Sequence, residues 1–299
     1  MPALRIEGLY KSFGDKEVLK GLDMSVPEGS VFGLVGKNGA GKTTTMKIAL
    51  GLLKADAGEI ALAGEKVIYG QTASNRHIGY LPDVPEFYPF MTAQEYLYFC
   101  GDISGMEKSE AKKRSAELLD LVGLAGERHR IKGFSRGMKQ RLGIAQALLG
   151  KPNLLICDEP TSALDPVGRK EILEILSSVK EQTTVIFSTH ILSDVERICT
   201  DIAFINDGII HTQGKLSDIK SKLRTNEYFL ETERTSDVQK LSEVFPKAAI
   251  KGANTLSFGE RDYSLFEVLG FVAENKIPLL KAERAEPSLE LLFMEVLGK

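Results

Sequence analysis

The chain has no tryptophan, only three cysteines in 299 residues, and no apolar run near the ~20 residues that span a bilayer. Cys100, Cys157 and Cys199 are odd in number and far apart, with no close pair of the kind that grips a metal. They read as reduced core side chains in a cytosolic protein, not as a disulfide framework. Positive charge is not in surplus either. Lys and Arg number 38 against 41 Asp and Glu, a formal net charge of −3, so no electrostatic footprint for nucleic acid is expected. The opening residues 1–8 lack the charged-then-apolar order of a secretion signal, so none is expected. What remains is an ordinary globular composition, 43% hydrophobic and 26% charged. The length suits one large domain, or a large and a small one.

Against that background one stretch stands out, Gly36-Lys37-Asn38-Gly39-Ala40-Gly41-Lys42-Thr43, with the Gly-x-x-x-x-Gly-Lys-Thr spacing of a phosphate-binding loop. The apolar residues 31–35 before it read as a buried strand, and residues 44–53 after it as a helix that ends near Asp56 and Gly58. Strand, glycine loop and helix are the setting in which this spacing becomes a site. Gly36, Gly39 and Gly41 let the backbone turn tightly and aim N–H groups at phosphate oxygens. The helix N-terminus at Thr44 adds positive dipole, Lys42 is expected on the β- and γ-phosphates, and the Thr43 hydroxyl is expected on Mg²⁺.

Residues 4–9 and 16–26 read as strands, the second broken at Gly21, with Phe13 between them. Alone, Phe13 is read as core more readily than as a platform for a nucleotide base. Residues 60–63 and 78–81 are short strand candidates, followed by an aromatic connector over 86–91. From the cap at Thr92 to Leu124 the pattern is helical, first over 95–99 and then over 108–122, with Leu118, Leu119 and Val122 as a buried stripe. Lys112, Lys113 and Arg114 read as its solvated face. Ser135 opens a further helix to Leu149, which on its own is no more than a capped amphipathic segment.

Residues 154–157 are apolar and end in Asp158 and Glu159, which reads as a buried strand delivering two acids to its C-terminal edge. With a phosphate loop upstream, Asp158 belongs in the Mg²⁺ shell, and Glu159 is placed to orient or deprotonate an attacking water. A helix over 168–180 and a strand over 184–189 follow, bringing His190 to the same sheet edge. A lone strand-end histidine is more often structural. Residues 202–214 read as a hairpin around Asn206-Asp207-Gly208.

Taken in order, these motifs resemble the ATP-binding subunit of ABC transporters over about residues 3–217. The signature segment is Phe134-Ser135-Arg136-Gly137-Met138, the D-loop is Ser162-Ala163-Leu164-Asp165, and the switch histidine is His190. The resemblance implies an ATPase that works as a homodimer or paired subunit, two ATPs held head to tail between the copies. In it, Ser135 and Gly137 reach the partner's ATP, His190 reaches the γ-phosphate, and Phe13 stacks on adenine, reversing its reading as core. It also implies integral membrane permease subunits as partners and a cytoplasmic position on the inner membrane face. Four positions depart from the pattern. Arg136 and Met138 replace a glycine and a glutamine of the signature, Asp83 stands at a metal-contacting glutamine, and Ala163 replaces a D-loop glycine, a mild change by this reading. Gly79-Tyr80-Leu81-Pro82 before an acid, with Ser135 to Arg141, resembles the ABC-2 exporter branch.

Residues 218–299 hold no phosphate or metal motif. Strands near 227–231, 248–251, 255–258 and 278–283, and helices over 237–245 and 264–275, give a βαββαβ order of ferredoxin-like type, closed by a helix over 287–297. The expectation is therefore an α/β ABC-type ATPase domain over 1–217, with a mixed sheet and a helical subdomain at about 86–150, plus a small α+β domain over 218–299. The expected function is ATP-driven export. The alternative is a soluble ABC-type mechanical ATPase acting on ribosome or nucleic acid, disfavoured because a single nucleotide-binding unit, no coiled-coil insertion and no basic tail are read.

Overall fold

The computed structural model describes the chain except for residues 71–73, 223–226, 286–288, 291 and 294–299. It divides into two units, one of Met1–Leu216, which Phe293 also joins, and one of Ser217–Leu292.

In the first unit the elements are β1 (Pro2–Phe13), β2 (Lys16–Pro27), β3 (Val31–Val35), α1 (Lys42–Ala49), β4 (Ala57–Leu62), β5 (Glu65–Lys66) and β6 (Ile78–Leu81). Then come α2 (Ala93–Ile103), α3 (Lys108–Leu121), α4 (Arg136–Leu148), β7 (Leu154–Cys157), α5 (Pro166–Ser178) and β8 (Thr184–Thr189). It closes with α6 (Leu192–Ile198), β9 (Asp201–Asn206) and β10 (Ile209–Lys215). A six-stranded sheet runs β10-β9-β3-β8-β7-β6, all parallel except for β10. An antiparallel sheet, β2-β1-β4-β5, is the second layer.

The central strands are buried on both faces, and alternate residues feed two cores. Phe32, Leu34, Ile156 and Ile186 pack with Leu4, Ile6 and Leu22 of the antiparallel sheet and Met46 and Ile48 of α1. Val31, Leu155, Cys157, Val185 and Phe187 pack on the other side with Leu97, Leu118, Ile144 and Ile172 of the helices. This double burial is why β3 and β7 are wholly apolar and β8 has an apolar centre over 185–187, as strands of a covered parallel sheet require.

Several boundaries differ from those expected. β2 runs on through Gly21, which at φ +79 is the extra residue of a bulge: Leu9 pairs with Leu22 and the next residue of β1, Tyr10, with Lys20. The two helical segments after Thr92 are found as expected, as α2 and α3. Gly105 (φ +72) turns the chain, and the Glu107 carboxylate caps α3 by accepting from the N–H groups of Ser109 and Glu110. Arg114 is not part of the solvated face of α3, since its guanidinium donates to the Leu148 carbonyl at the end of α4. α1 is shorter than expected and begins at Lys42, and α5 begins at Pro166 because Asp165 caps it by accepting from the Gly168 N–H.

α7 (Leu216–Lys222) starts on the last residue of the first unit, and the second unit goes on with β11 (Glu227–Thr232), α8 (Thr235–Val244), β12 (Ala249–Gly252), β13 (Thr255–Gly259), α9 (Leu265–Glu274) and β14 (Leu279–Arg284). From β11 onward this is a βαββαβ order. Its antiparallel sheet runs β12-β13-β11-β14 over a core of Leu230, Leu256, Phe258, Leu241 and Val268. The closing helix expected over 287–297 lies largely outside the described residues.

Candidate active site

Four neighbouring strands, β3, β8, β7 and β6, end at one edge of the parallel sheet. They deliver in turn the glycine loop, His190, the Asp158-Glu159 pair and Asp83. That edge is where open α/β sheets bind their ligands.

The loop is tied into the sheet at its start, where the Gly36 N–H donates to the Thr189 carbonyl. A side chain at Gly36 would lie 2.4 Å from the Ile205 carbonyl oxygen, so only glycine fits against β9. Gly41 caps α1 at φ +110, a conformation that side chains rarely tolerate. No side chain caps α1 and its first turn has no acid, so its leading N–H groups are available to an anion. Lys42 is 5% exposed, and its ammonium donates to the carbonyls of Gly36 (2.7 Å) and Lys37 (3.1 Å). It also lies 3.1 Å from Glu159 Oε1, an ion pair without hydrogen-bond geometry, which leaves that buried oxygen with no hydrogen-bond donor.

Glu159 adopts φ +47, the left-handed region that a non-glycine residue occupies at a cost of about 1–3 kcal/mol. Its hold is visible. The Glu159 N–H donates to Ser188 Oγ (2.9 Å), and the Ser188 hydroxyl donates to Asp158 Oδ1 (2.7 Å). His190 Nδ1 lies 3.1 Å from Glu159 Oε2. The carboxylate is thus set between a lysine and a histidine, its backbone pinned by the serine that also orders Asp158. Burial pushes the Tyr80 phenol up to about 12, with the charges of Asp158 and Asp83 adding to it, so it stays protonated. Cys157 is driven well above the ordinary thiol range, first by burial and then by Asp158, which makes it an inert core side chain.

A cavity of about 470 Å³ opens here, walled by Asn38, Gly39, Gly41, Lys42, Thr43 and Thr44 of the loop and by Asp83, Glu159 and His190. Gly36 and Ala40 are buried beneath it, Lys37 is exposed, and Asp158 is buried behind the wall. Phe13 is 51% exposed and is not core; it stands at the tip of the hairpin whose Lys16 and Val18 form another wall. Ser135 caps α4 by accepting from the Met138 N–H, but neither it nor Gly137 lines this cavity. Sequence reasoning passed over Lys16, Val18 and Ser188, and named Ser162 only within the D-loop. A hairpin beside a glycine loop is a faint signal for the first two.

The donor set suits a magnesium nucleotide. Thr43, Asp158 and Asp83 offer a hydroxyl and two carboxylates at the sheet edge beside the glycine loop. Among the described residues no group of three or more His, Cys, Asp or Glu could hold a metal by itself. Mg²⁺ needs none, since it takes one or two carboxylates and completes its shell with phosphate oxygens and water.

Comparison with known proteins gives the class first. Residues 19–162 match the family described as ABC transporter. Over 228 residues the chain is 46% identical to an uncharacterized ABC transporter ATP-binding protein of Bacillus subtilis, YxlF, covering 76% of each chain. It is 36% identical to the linearmycin resistance ATP-binding protein LnrL of Bacillus subtilis, over 99% of this chain and 98% of that one. It is 35% identical to the bacitracin transport ATP-binding protein BcrA of Bacillus licheniformis, over 99% and 97%. A solved structure of an ATP-binding subunit of an ABC transporter superposes with a TM-score of 0.65 at 32% identity, covering 74% of this chain and 92% of that one. The chain belongs to the ABC transporter family. It is an ATP-binding and ATP-hydrolysing subunit whose cofactors are ATP and Mg²⁺. The alternative of action on ribosome or nucleic acid has no support in these comparisons.

Proposed function

We propose that this chain is the motor of an exporter. Two copies close head to tail on two ATPs, beneath a separate membrane permease at the cytoplasmic face. The observation that carries the dimer is the cavity lining: one chain supplies the loop, Glu159 and His190, while Ser135 and Gly137 lie off that wall. A second copy presenting Ser135 at the N-terminus of α4 completes the γ-phosphate cage with a hydroxyl and unpaired backbone N–H groups. Export is supported by LnrL and BcrA, whose names record linearmycin resistance and bacitracin transport and whose similarity spans nearly the whole chain.

In this reading Lys42 leaves its carbonyl partners to hold β- and γ-phosphate oxygens, and Phe13 covers the base. Thr43, Asp158 and Asp83 hold the metal, which supplies charge neutralisation on the phosphates. Glu159, fixed by Ser188 and flanked by His190, aligns the water for in-line attack and takes its proton. The aromatic connector is the permease contact. Tyr88 (47% exposed) and Phe90 (59%) are exposed, whereas Phe87 is partly buried and packs edge-on against Tyr96 at 5.1 Å.

The test is the solution mass of Glu159→Gln with and without MgATP, measured by light scattering. The variant keeps the loop and loses the base, so ATP persists and the mass doubles. A mass that stays at one chain while ATP binds would sink the ATP-driven dimer for the isolated subunit.

A further inference from the structure

Arg136, at the start of α4, and Asp83, after β6, touch each other. Arg136 Nη2 donates to Asp83 Oδ1 at 3.3 Å, with the two side chains 43% and 46% exposed. One turn further along α4, Gln140 is fully buried, and its Nε2 donates to the Asp83 main-chain carbonyl at 2.7 Å. The helix therefore holds Asp83 twice, and the two grips are unequal. The amide bond is desolvated, and breaking it strands a buried donor on a side chain whose Oε1 already lacks a partner. The guanidinium bond is long and open to solvent, a class of pair that contributes little and yields readily to a competing charge. So the backbone of Asp83 is fixed while its carboxylate is free to change partner.

Asp83 also stands between two cavities. It lines the phosphate cleft with Lys42, Thr43 and Glu159, and it lines a second cavity of about 440 Å³ with Arg136 and Lys139. We propose that Arg136 is a positioning residue that competes with nucleotide-bound Mg²⁺ for the Asp83 carboxylate, so that filling the cleft loosens the hold of α4 on this loop. The inference rests on the metal role of Asp83 proposed above. Its consequence lies in the chain order: Arg136 sits between Ser135 and Gly137, the residues offered to the partner's ATP. Occupancy of one cleft is thereby felt at the turn that serves the other. A glycine at 136 could not form the link, and a glutamine at 83 would carry no charge for it.

The test measures ATP binding to the full chain by calorimetry across a series of Mg²⁺ concentrations, with Glu159→Gln present throughout to prevent turnover. Arg136→Gln should lower the Mg²⁺ concentration giving half-maximal ATP affinity by about three- to fivefold. Arg136→Lys, which keeps the charge, should restore most of the parent midpoint. With Asp83→Asn in place, adding Arg136→Gln should move the midpoint by less than about twofold, since the pair is already gone. An unchanged midpoint in the single variant overturns the proposal, as does an equal shift with and without Asp83. Binding at saturating Mg²⁺ separates this failure from a larger one: variants that never bind ATP would overturn the nucleotide reading itself.

Discussion

Ser188 has no place in any motif, yet its hydroxyl is the junction of the site. It accepts from the Glu159 N–H and donates to Asp158, and it is fully buried. Ser188→Ala would strand a buried carboxylate oxygen and a main-chain donor together, with a stability loss of about 1–3 kcal/mol. It would also release the backbone that holds Glu159 at φ +47. Turnover should fall at least ~10-fold with a smaller change in ATP affinity, because the aligned carboxylate acts in the transition state more than in binding. Urea unfolding and steady-state ATPase assays give the two numbers, and an unaltered kcat would refute the positioning role. Sequence could not single out this serine. Thr184 and Thr189 are also buried polar residues of the same strand, and only the neighbour across the sheet distinguishes the three. Lys42 and Glu159 stood out because glycine spacing and strand-end acids are local patterns, whereas His190 was singled out only through the family resemblance. Ala163 was legible only in part. Its substitution for glycine reads as mild, but the residue sits at φ +53, where a Cβ is strained.

At the scale of elements, strands 31–35 and 154–157 and the caps at Thr92 and Ser135 stand where the residues place them, because each is set by a short run. What was hidden is how the turns that carry Glu159 and His190 are braced. Asp194, four residues past His190 and 2% exposed, accepts from Thr161 Oγ1 at 2.7 Å and from Arg169 Nε at 2.6 Å. It thus joins α6, which follows His190, to the turn after Glu159 and to α5. Removing one partner of such a pair leaves the other uncompensated. Arg169 keeps 29% of its side chain in solvent, which softens the penalty. Asp194→Asn is expected to lose about 1–3 kcal/mol of stability. Arg169→Gln added to it should cost less than the sum of the two single changes. Urea denaturation of the four proteins decides the matter, and strict additivity would show that the two side chains do not act as a pair.

At the scale of the molecule, the site exists because four strands far apart in sequence end side by side, an order set by long-range pairing that no window of residues records. The C-terminal unit was easier to read, since its strands and helices alternate with simple punctuation. Each unit has its own hydrophobic core, two clusters around the parallel sheet in one and a separate cluster under the β11–β14 sheet in the other. All residues placed around the phosphates lie in the first unit, so ligand free energy should enter there alone. With Glu159→Gln in scanning calorimetry, MgATP at 100 times its Kd adds about 2.7 kcal/mol to the unit that binds it. For a unit of this length that is a rise of roughly 5–10 °C in its transition. The transition of the C-terminal unit should stay where it is. One merged transition that rises as a whole would mean that the two cores unfold together and that ATP binding stabilises the entire chain.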